Sequence, residues 1–231
     1  MTYTNSPLVV YTRLSPNHSG QRTHTIDRIT PHCVVGQCTA ESLGTLFADP
    51  SRQGSSNYGI GKNGRVGLYV EEKNRSWCSS SNENDQRAVT VECASDTAEP
   101  YTMNAAVYET LIRLCTDICK RNGKKKLLWF GDKDKTLNYI PAADEMVITV
   151  HRWFSNRSCP GTWLYSRLGD LANKVTAALA DPVPAKTETS TEKKKYYRVQ
   201  IGAFTAKANA DAMLKKVKSA GFADAFIKYG E

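Results

Sequence analysis

Along the first 180 residues, short apolar runs alternate with stretches of helical period. LVVY (8–11), DRITPHCVV (27–35), NYGIG (57–61), VGLYV (66–70), AVTVECA (88–94), KKLLWF (125–130) and EMVITV (145–150) have the length and the β-branched or aromatic content of strands. Helical periodicity covers 39–48, with Thr39 placed to cap it, 104–121, opened by Asn104, and 162–180, opened by Thr162 after a Pro-Gly pair. Lys-Asn-Gly at 62–64 reads as a hairpin turn. Strands interleaved with helices in this way predict one layered α/β domain.

The pattern then stops. DPVPAKTETSTEKKK (181–195) offers almost nothing apolar to bury, too little to offset the entropy of ordering it, and reads as a flexible linker. Periodicity resumes with YYRVQIGAF, which alternates like a strand, AKANADAMLKKVKSAG, which has a helical period ending in a glycine stop, and FADAFIKYG, a second strand. The expected organisation is a main domain over 1–180, the linker 181–195 and a small βαβ unit over 196–231.

Composition narrows the class. With 40% hydrophobic and 23% charged residues the chain should fold, unlike a disordered or collagenous one. Apolar residues never persist for the roughly 18 positions that span a bilayer. The first stretch, MTYTNSPLVVYTRLSP, lacks a basic segment followed by an apolar core. Synthesis in the cytoplasm without a signal peptide, and no membrane insertion, are therefore expected. Seven cysteines at irregular spacing suggest free thiols. Cys115 and Cys119 share one helix face and read as small buried hydrophobes rather than a metal pair. A formal charge of +8 favours a polyanionic partner without choosing among nucleic acid, anionic lipid and cell-wall polymer.

The candidate chemistry lies in VHRWFSNRSCPG (150–161), where His151 follows a strand-like run and Cys159 precedes Pro-Gly. His32 ends DRITPH in the same manner. Two histidines and one cysteine would give zinc three protein ligands and leave the fourth position to water, as in catalytic sites. Zinc brings the pKa of such a water toward about 7. The spacing is equally compatible with a Cys159–His151 thiol nucleophile, or with core packing. Against the thiol, Pro160, Gly161 and Thr162 separate the cysteine from the helix start that would acidify it. His18 and His24, in a polar region, read as solvated.

DRITPHCVVG, SSNYGIGKNGRVG, AVTVECAS and VHRWFSNRSCPG, in that order, resemble the type 2 N-acetylmuramoyl-L-alanine amidases. That family includes the lysozyme-like amidases of short-tailed phages and the peptidoglycan recognition proteins, and the resemblance runs over roughly residues 8 to 180. It implies a mixed central β-sheet flanked by helices, with zinc (Zn2+) on His32, His151 and Cys159. It also implies hydrolysis of the amide between the lactyl group of N-acetylmuramic acid and L-alanine. Glu92 matches the acid of the branches that use a glutamate. Strand alternation sets it on the face opposite Val91 and Cys93, and partial burial would raise its pKa toward neutrality.

The chain departs from the family at two places. Ser56 and Asn57 stand where phage-type members carry tyrosine and histidine, so the tyrosine route is closed and the load shifts to Glu92. Arg157 stands where many members carry lysine. It keeps a charge able to stabilise an oxyanion but is a poor proton donor. Trp77, in the polar stretch 69–87, and Asn57 are expected to bind substrate, with plain packing the competing reading for Trp77.

The last unit resembles a SPOR repeat, most closely in YRVQIGAF and AGF. That resemblance implies binding to peptidoglycan glycan stripped of stem peptides, which would concentrate the enzyme where its product accumulates. The family domain usually holds two repeats and this chain one, so pairing of two chains into a homodimer through an exposed strand edge is expected. The expected partner is peptidoglycan, both glycan strands and stem peptides, and not nucleic acid. The chain thus reads as a zinc endolysin or autolysin acting on the wall after release. The alternative is a non-catalytic peptidoglycan-recognition protein, but relatives of that kind have lost the cysteine ligand, which Cys159 retains.

Overall fold

In chain order the strands are β1 (Val9–Thr12), β2 (His18–Gln21), β3 (Arg28–Cys33), β4 (Tyr58–Ile60), β5 (Val66–Leu68), β6 (Asn74–Ser76), β7 (Ala88–Cys93), β8 (Lys126–Leu128) and β9 (Glu145–Ile148). The helices are α1 (Ala40–Ala48), α2 (Asn82–Arg87), α3 (Ala105–Arg121), α4 (Lys133–Asn138), α5 (Gly161–Tyr165), α6 (Leu168–Ala180) and α7 (Lys207–Ser219). These assignments come from a computed structural model, which describes residues 3–180, 201–222 and 225–227. The chain divides into two compact units, Met1–Val183 and Pro184–Glu231.

The first unit is built on a seven-stranded mixed sheet in the order β1-β5-β4-β7-β3-β9-β8. Only β4 and β5 pair antiparallel within it, and their connection is the predicted Lys-Asn-Gly hairpin, with Gly64 at φ +76°. At the centre, β3 and β7 run parallel and are buried almost end to end, as parallel strands covered on both faces must be. Alternation sorts their side chains cleanly. Ile29 and Cys33 of β3, with Val89, Val91 and Cys93 of β7, join the main core beside Val107, Leu111 and Leu114 of α3 and Leu168, Leu171 and Val175 of α6. Thr30, His32, Thr90 and Glu92 therefore point to the other face.

That other face carries two different coverings. Near the β4–β5 edge it is apolar: Leu43 and Phe47 of α1 pack on Tyr69. A Cβ on Gly59 would lie 2.7 Å from the Tyr69 ring, so only glycine lets that ring approach. Over β3 and β7 the face is polar and closed by hydrogen bonds. Thr30 Oγ1 meets Thr149 Oγ1 at 2.8 Å, Asn84 of α2 donates to Thr30 Oγ1 at 3.0 Å, and Ser76 Oγ meets Thr90 Oγ1 at 2.7 Å. A separate two-stranded sheet of β2 and β6 belongs to this layer.

Helix caps follow the sequence. Thr39 closes a capping box with Ser42 on α1, and Asn104 Oδ1 accepts from Val107 N on α3. Cys115 and Cys119 are fully buried, with Cys119 Sγ 3.7 Å from Met146 Sδ. The single helix predicted over 162–180 is instead α5 and α6, separated at Ser166 and Arg167. Arg167 N donates to Leu164 O at 2.9 Å, while its side-chain Nη1 takes the Trp163 carbonyl at 2.9 Å and its guanidinium lies 4.2 Å from the Trp163 ring centroid. The arginine thus satisfies by side chain the carbonyl that the break leaves open. Thr162 does not cap α5: its own amide donates to Glu99 Oε2 at 3.1 Å.

In the second unit α7 forms where the periodicity predicts it and ends at the predicted glycine. Gly221, at φ +100°, donates to Lys218 O and Phe222 N to Val217 O, a Schellman stop. Of the two flanking strands expected, Ile201–Phe204 and residues 225–227 carry no strand assignment. The remainder of both, and the linker 181–195, lie outside the described residues.

Candidate active site

The pairing of β3 with β7 sets His32 directly beside Glu92 in register, both on the polar face of the sheet. The chain then leaves β9 and turns through a 3-10 segment, His151–Trp153, that brings the second imidazole to the same place. Ring centroids of His32 and His151 are 5.0 Å apart at 57°. The loop back toward α5 delivers Cys159, whose Sγ lies 3.3 Å from His32 Nδ1. One donor atom from each of His32, His151 and Cys159 falls within 4.8 Å of the others. Glu92 Oε1 stands 4.0 Å from His32 Nδ1.

The 151–159 loop is held shut by Arg152. Its backbone N–H donates to Cys159 O at 3.1 Å, its guanidinium donates to Ser158 O, and the guanidinium carbon sits 4.5 Å from the Tyr165 ring centroid. These contacts tie the two ends of the loop, and so His151 and Cys159, to one another.

Electrostatics prepares these groups for a cation. Burial, with His151 nearby, pushes the His32 pKa well below its ordinary value, so the ring is neutral and has a lone pair to give. His151 is lowered too, by burial and then by the charge of Arg157. The Cys159 thiol is held well up, first by its hydrogen bond with Cys33 and then by burial. Burial pushes the Glu92 carboxyl up to about 8 against the opposing charge of Arg52. Two polar atoms here are buried with no partner, His32 Nε2 and Glu92 Oε2. Two neutral imidazoles and a cysteine, which zinc binds as thiolate with loss of its proton, are the borderline-soft donor set of zinc, and the unpartnered Glu92 Oε2 lies beside them, so the residues fit the metal. His32 Nδ1 lies 3.3 Å from the Cys159 sulfur, whose raised pKa leaves it a thiol unless a bound cation displaces the proton, which suits a metal site better than a metal-free thiolate nucleophile.

Of the remaining expected residues, Arg157 is exposed on the loop between His151 and Cys159. Trp77 is half-buried, its Nε1 donating to Ser19 Oγ at 2.7 Å. Asn57, expected to bind substrate, stands just before β4. It is fully buried, its Oδ1 accepting from Arg22 Nη2 at 3.0 Å and Thr90 N at 3.1 Å and its Nδ2 donating to Val70 O at 3.1 Å. Its hydrogen-bonding capacity is taken up by backbone groups, by Arg22 and by Thr90 of the polar face.

The structure adds residues that periodicity did not reveal. Cys78 Sγ contacts Glu92 Oε1 at 3.8 Å, Ser80 Oγ lies 3.0 Å from His151 Nε2, and buried Asp85 accepts from the amides of Cys78 and Ser79. All sit in the polar stretch 69–87, where no spacing signal exists and only folding shows which side chains meet.

Comparison with known proteins agrees with this geometry. Residues 22–162 match the N-acetylmuramoyl-L-alanine amidase family, a span that contains His32, Glu92, His151 and Cys159. Residues 166–230 match the SPOR domain. The fold is similar to that of a mutant endolysin from Bacillus subtilis (TM-score 0.51, 11% identity, 71% of this chain and 97% of that one). It is also similar to a selenomethionine derivative of AmpD (TM-score 0.51, 17% identity, 74% and 99%). No curated protein sequence matches.

Proposed function

This chain belongs to the N-acetylmuramoyl-L-alanine amidase family and carries a C-terminal SPOR domain; from that premise we propose that it is a zinc-dependent amidase. It is a hydrolase of peptidoglycan. The finer reading is that zinc is held by His32, His151 and Cys159 and that the bond cut joins N-acetylmuramic acid to L-alanine. The observation that carries it is the convergence of three zinc-type donors within 4.8 Å, beside a half-buried carboxyl with one buried, unpartnered oxygen.

Zinc bound there would supply a Lewis acid beside the scissile carbonyl and make water easier to deprotonate. Glu92 takes the proton from the attacking water and returns it to the nitrogen of the departing L-alanine as the carbon–nitrogen bond breaks. A raised pKa suits the return of the proton, and zinc bound beside it would lower that pKa enough for the carboxylate to act first as base. Arg157, whose charge persists at any working pH, stabilises the oxyanion that develops on the lactyl carbonyl. Trp77 stacks on sugar or stem peptide.

The catalytic domain is read as 1–180, with 181–195 as linker and 196–231 tethering the enzyme to glycan. Exposed Ile201, Phe204, Phe222 and Phe226 support pairing of two chains through the tail, since large apolar side chains grouped on one small unit mark a contact surface. A non-catalytic recognition role fits less well, because the cysteine ligand is present and in place. Purified sacculi digested with and without a chelator test the reading. New L-alanine amino groups without new reducing ends, lost on chelation, support it. Undiminished lysis by metal-free protein sinks it.

A further inference from the structure

Three consecutive residues of the loop between β6 and α2 reach both halves of the proposed centre. Cys78 Sγ lies 3.8 Å from Glu92 Oε1, and Ser80 Oγ lies 3.0 Å from His151 Nε2. The intervening Ser79 and Cys78 amides are gripped by the Asp85 carboxylate at 3.0 to 3.3 Å, and Asp85 is 1% exposed. Ser81 then caps α2 by accepting from Asn84 N at 3.2 Å, so the loop is fastened at both ends. Ser80 itself sits in the left-handed region at φ +62°, a conformation a non-glycine residue adopts only when its surroundings impose it. The strain is held at the residue whose hydroxyl touches His151.

We propose that Cys78 and Ser80 are positioning residues of the hydrolytic centre, Ser80 orienting the His151 imidazole and Cys78 the Glu92 carboxylate, from a loop pinned by Asp85. The proposal rests on the zinc and Glu92 roles given above. A metal-binding imidazole is oriented by what its other nitrogen meets, and such partners fix which nitrogen carries the proton. With Ser80 accepting from Nε2–H, Nδ1 keeps its lone pair for the cation. On the other arm, a thiol that donates to Oε1 leaves Oε2, the buried oxygen without a partner, free to move the proton. One rigid loop therefore sets the base and one ligand relative to each other, which two independent loops would do less accurately.

The test uses the full chain and two readouts: zinc affinity by competition with a chromophoric chelator, and kcat and KM on a soluble muramoyl-peptide. Ser80→Ala keeps the backbone strain and Ser80→Gly relieves it, yet both remove the hydroxyl. Both should weaken zinc binding about 10- to 100-fold, with Ser80→Thr regaining most of it. Cys78→Ala and the volume-keeping Cys78→Val should leave zinc affinity unchanged and lower kcat about tenfold at constant KM. Cys78→Ser, which restores a donor, should recover part of that loss. Wild-type zinc affinity in both Ser80→Ala and Ser80→Gly, or wild-type kcat in Cys78→Val, overturns the proposal while leaving the amidase reading intact. If the unmutated protein neither binds zinc nor releases L-alanine amino groups, the amidase reading itself is what has failed.

Discussion

Glu92 is the residue at which the opposing demands on this protein meet. A carboxyl in a buried parallel strand destabilises the fold when ionised, and burial pushes its pKa up to about 8 from an ordinary value of 4.5. In metal-free protein the folded state holds a proton that the unfolded chain releases across that window. Stability contributed by this group is present below about pH 4.5 and falls as pH rises toward 8. Chemical unfolding of chelated protein should therefore show wild type losing stability relative to Glu92→Gln between pH 5 and 8; parallel curves would remove the buried proton. The same substitution should lower kcat about 10²- to 10⁴-fold with bound zinc unchanged. Cys159→Ser separates enzyme from binding protein: zinc content and amide hydrolysis should fall together while sacculus pull-down persists. His32, Glu92, His151 and Cys159 could be picked out as candidates because each stands in a motif of fixed order, and the fold brings their side chains together. The burial of Asn57 was not legible, since a motif fixes position but not depth, and this asparagine is fully buried and held by its own hydrogen bonds.

At the scale of elements, strands with apolar runs and helices with strong caps were readable, because the information for each is local. Thr39 shows how directly: the residue expected to cap α1 does so through a reciprocal pair with Ser42. Thr39→Ala should lower the unfolding free energy by about 1 kcal/mol in urea titrations, with no change in zinc affinity. Elements whose partners are distant were not readable. β2 and β6 are short and polar, and exist because they pair with each other across the sequence. The break between α5 and α6 was missed for a different reason: its contacts are local, Arg167 Nη1 and Ser166 Oγ both donating to the Trp163 carbonyl, but helical periodicity does not register them.

For the whole molecule, the SPOR match begins at residue 166, two residues before α6, and so takes in the whole helix, yet Leu168, Leu171, Ala172 and Val175 are buried in the core of the first unit. Packing therefore assigns α6 to the amidase side. A chain ending at residue 180 should keep cooperative unfolding and full turnover of a soluble muramoyl-peptide, while binding sacculi more weakly. One ending at 165 should fail to fold, because it removes those side chains and uncovers α3 and β8; a stable, active 1–165 fragment would contradict this. If the tail pairs two chains, ending at 180 also halves the number of chains per particle found by light scattering. By itself the sequence determined what neighbours along the chain decide: the α/β alternation, the caps, the glycine stops and the ordered motifs. Only the tertiary structure decided which side chains from distant segments share the polar face of the sheet, and so that Cys78, Ser80 and Asp85 stand around the centre while Asn57 is fully buried. Periodicity records a residue's own face, whereas a site is made by the register between strands and by loops whose positions follow from packing.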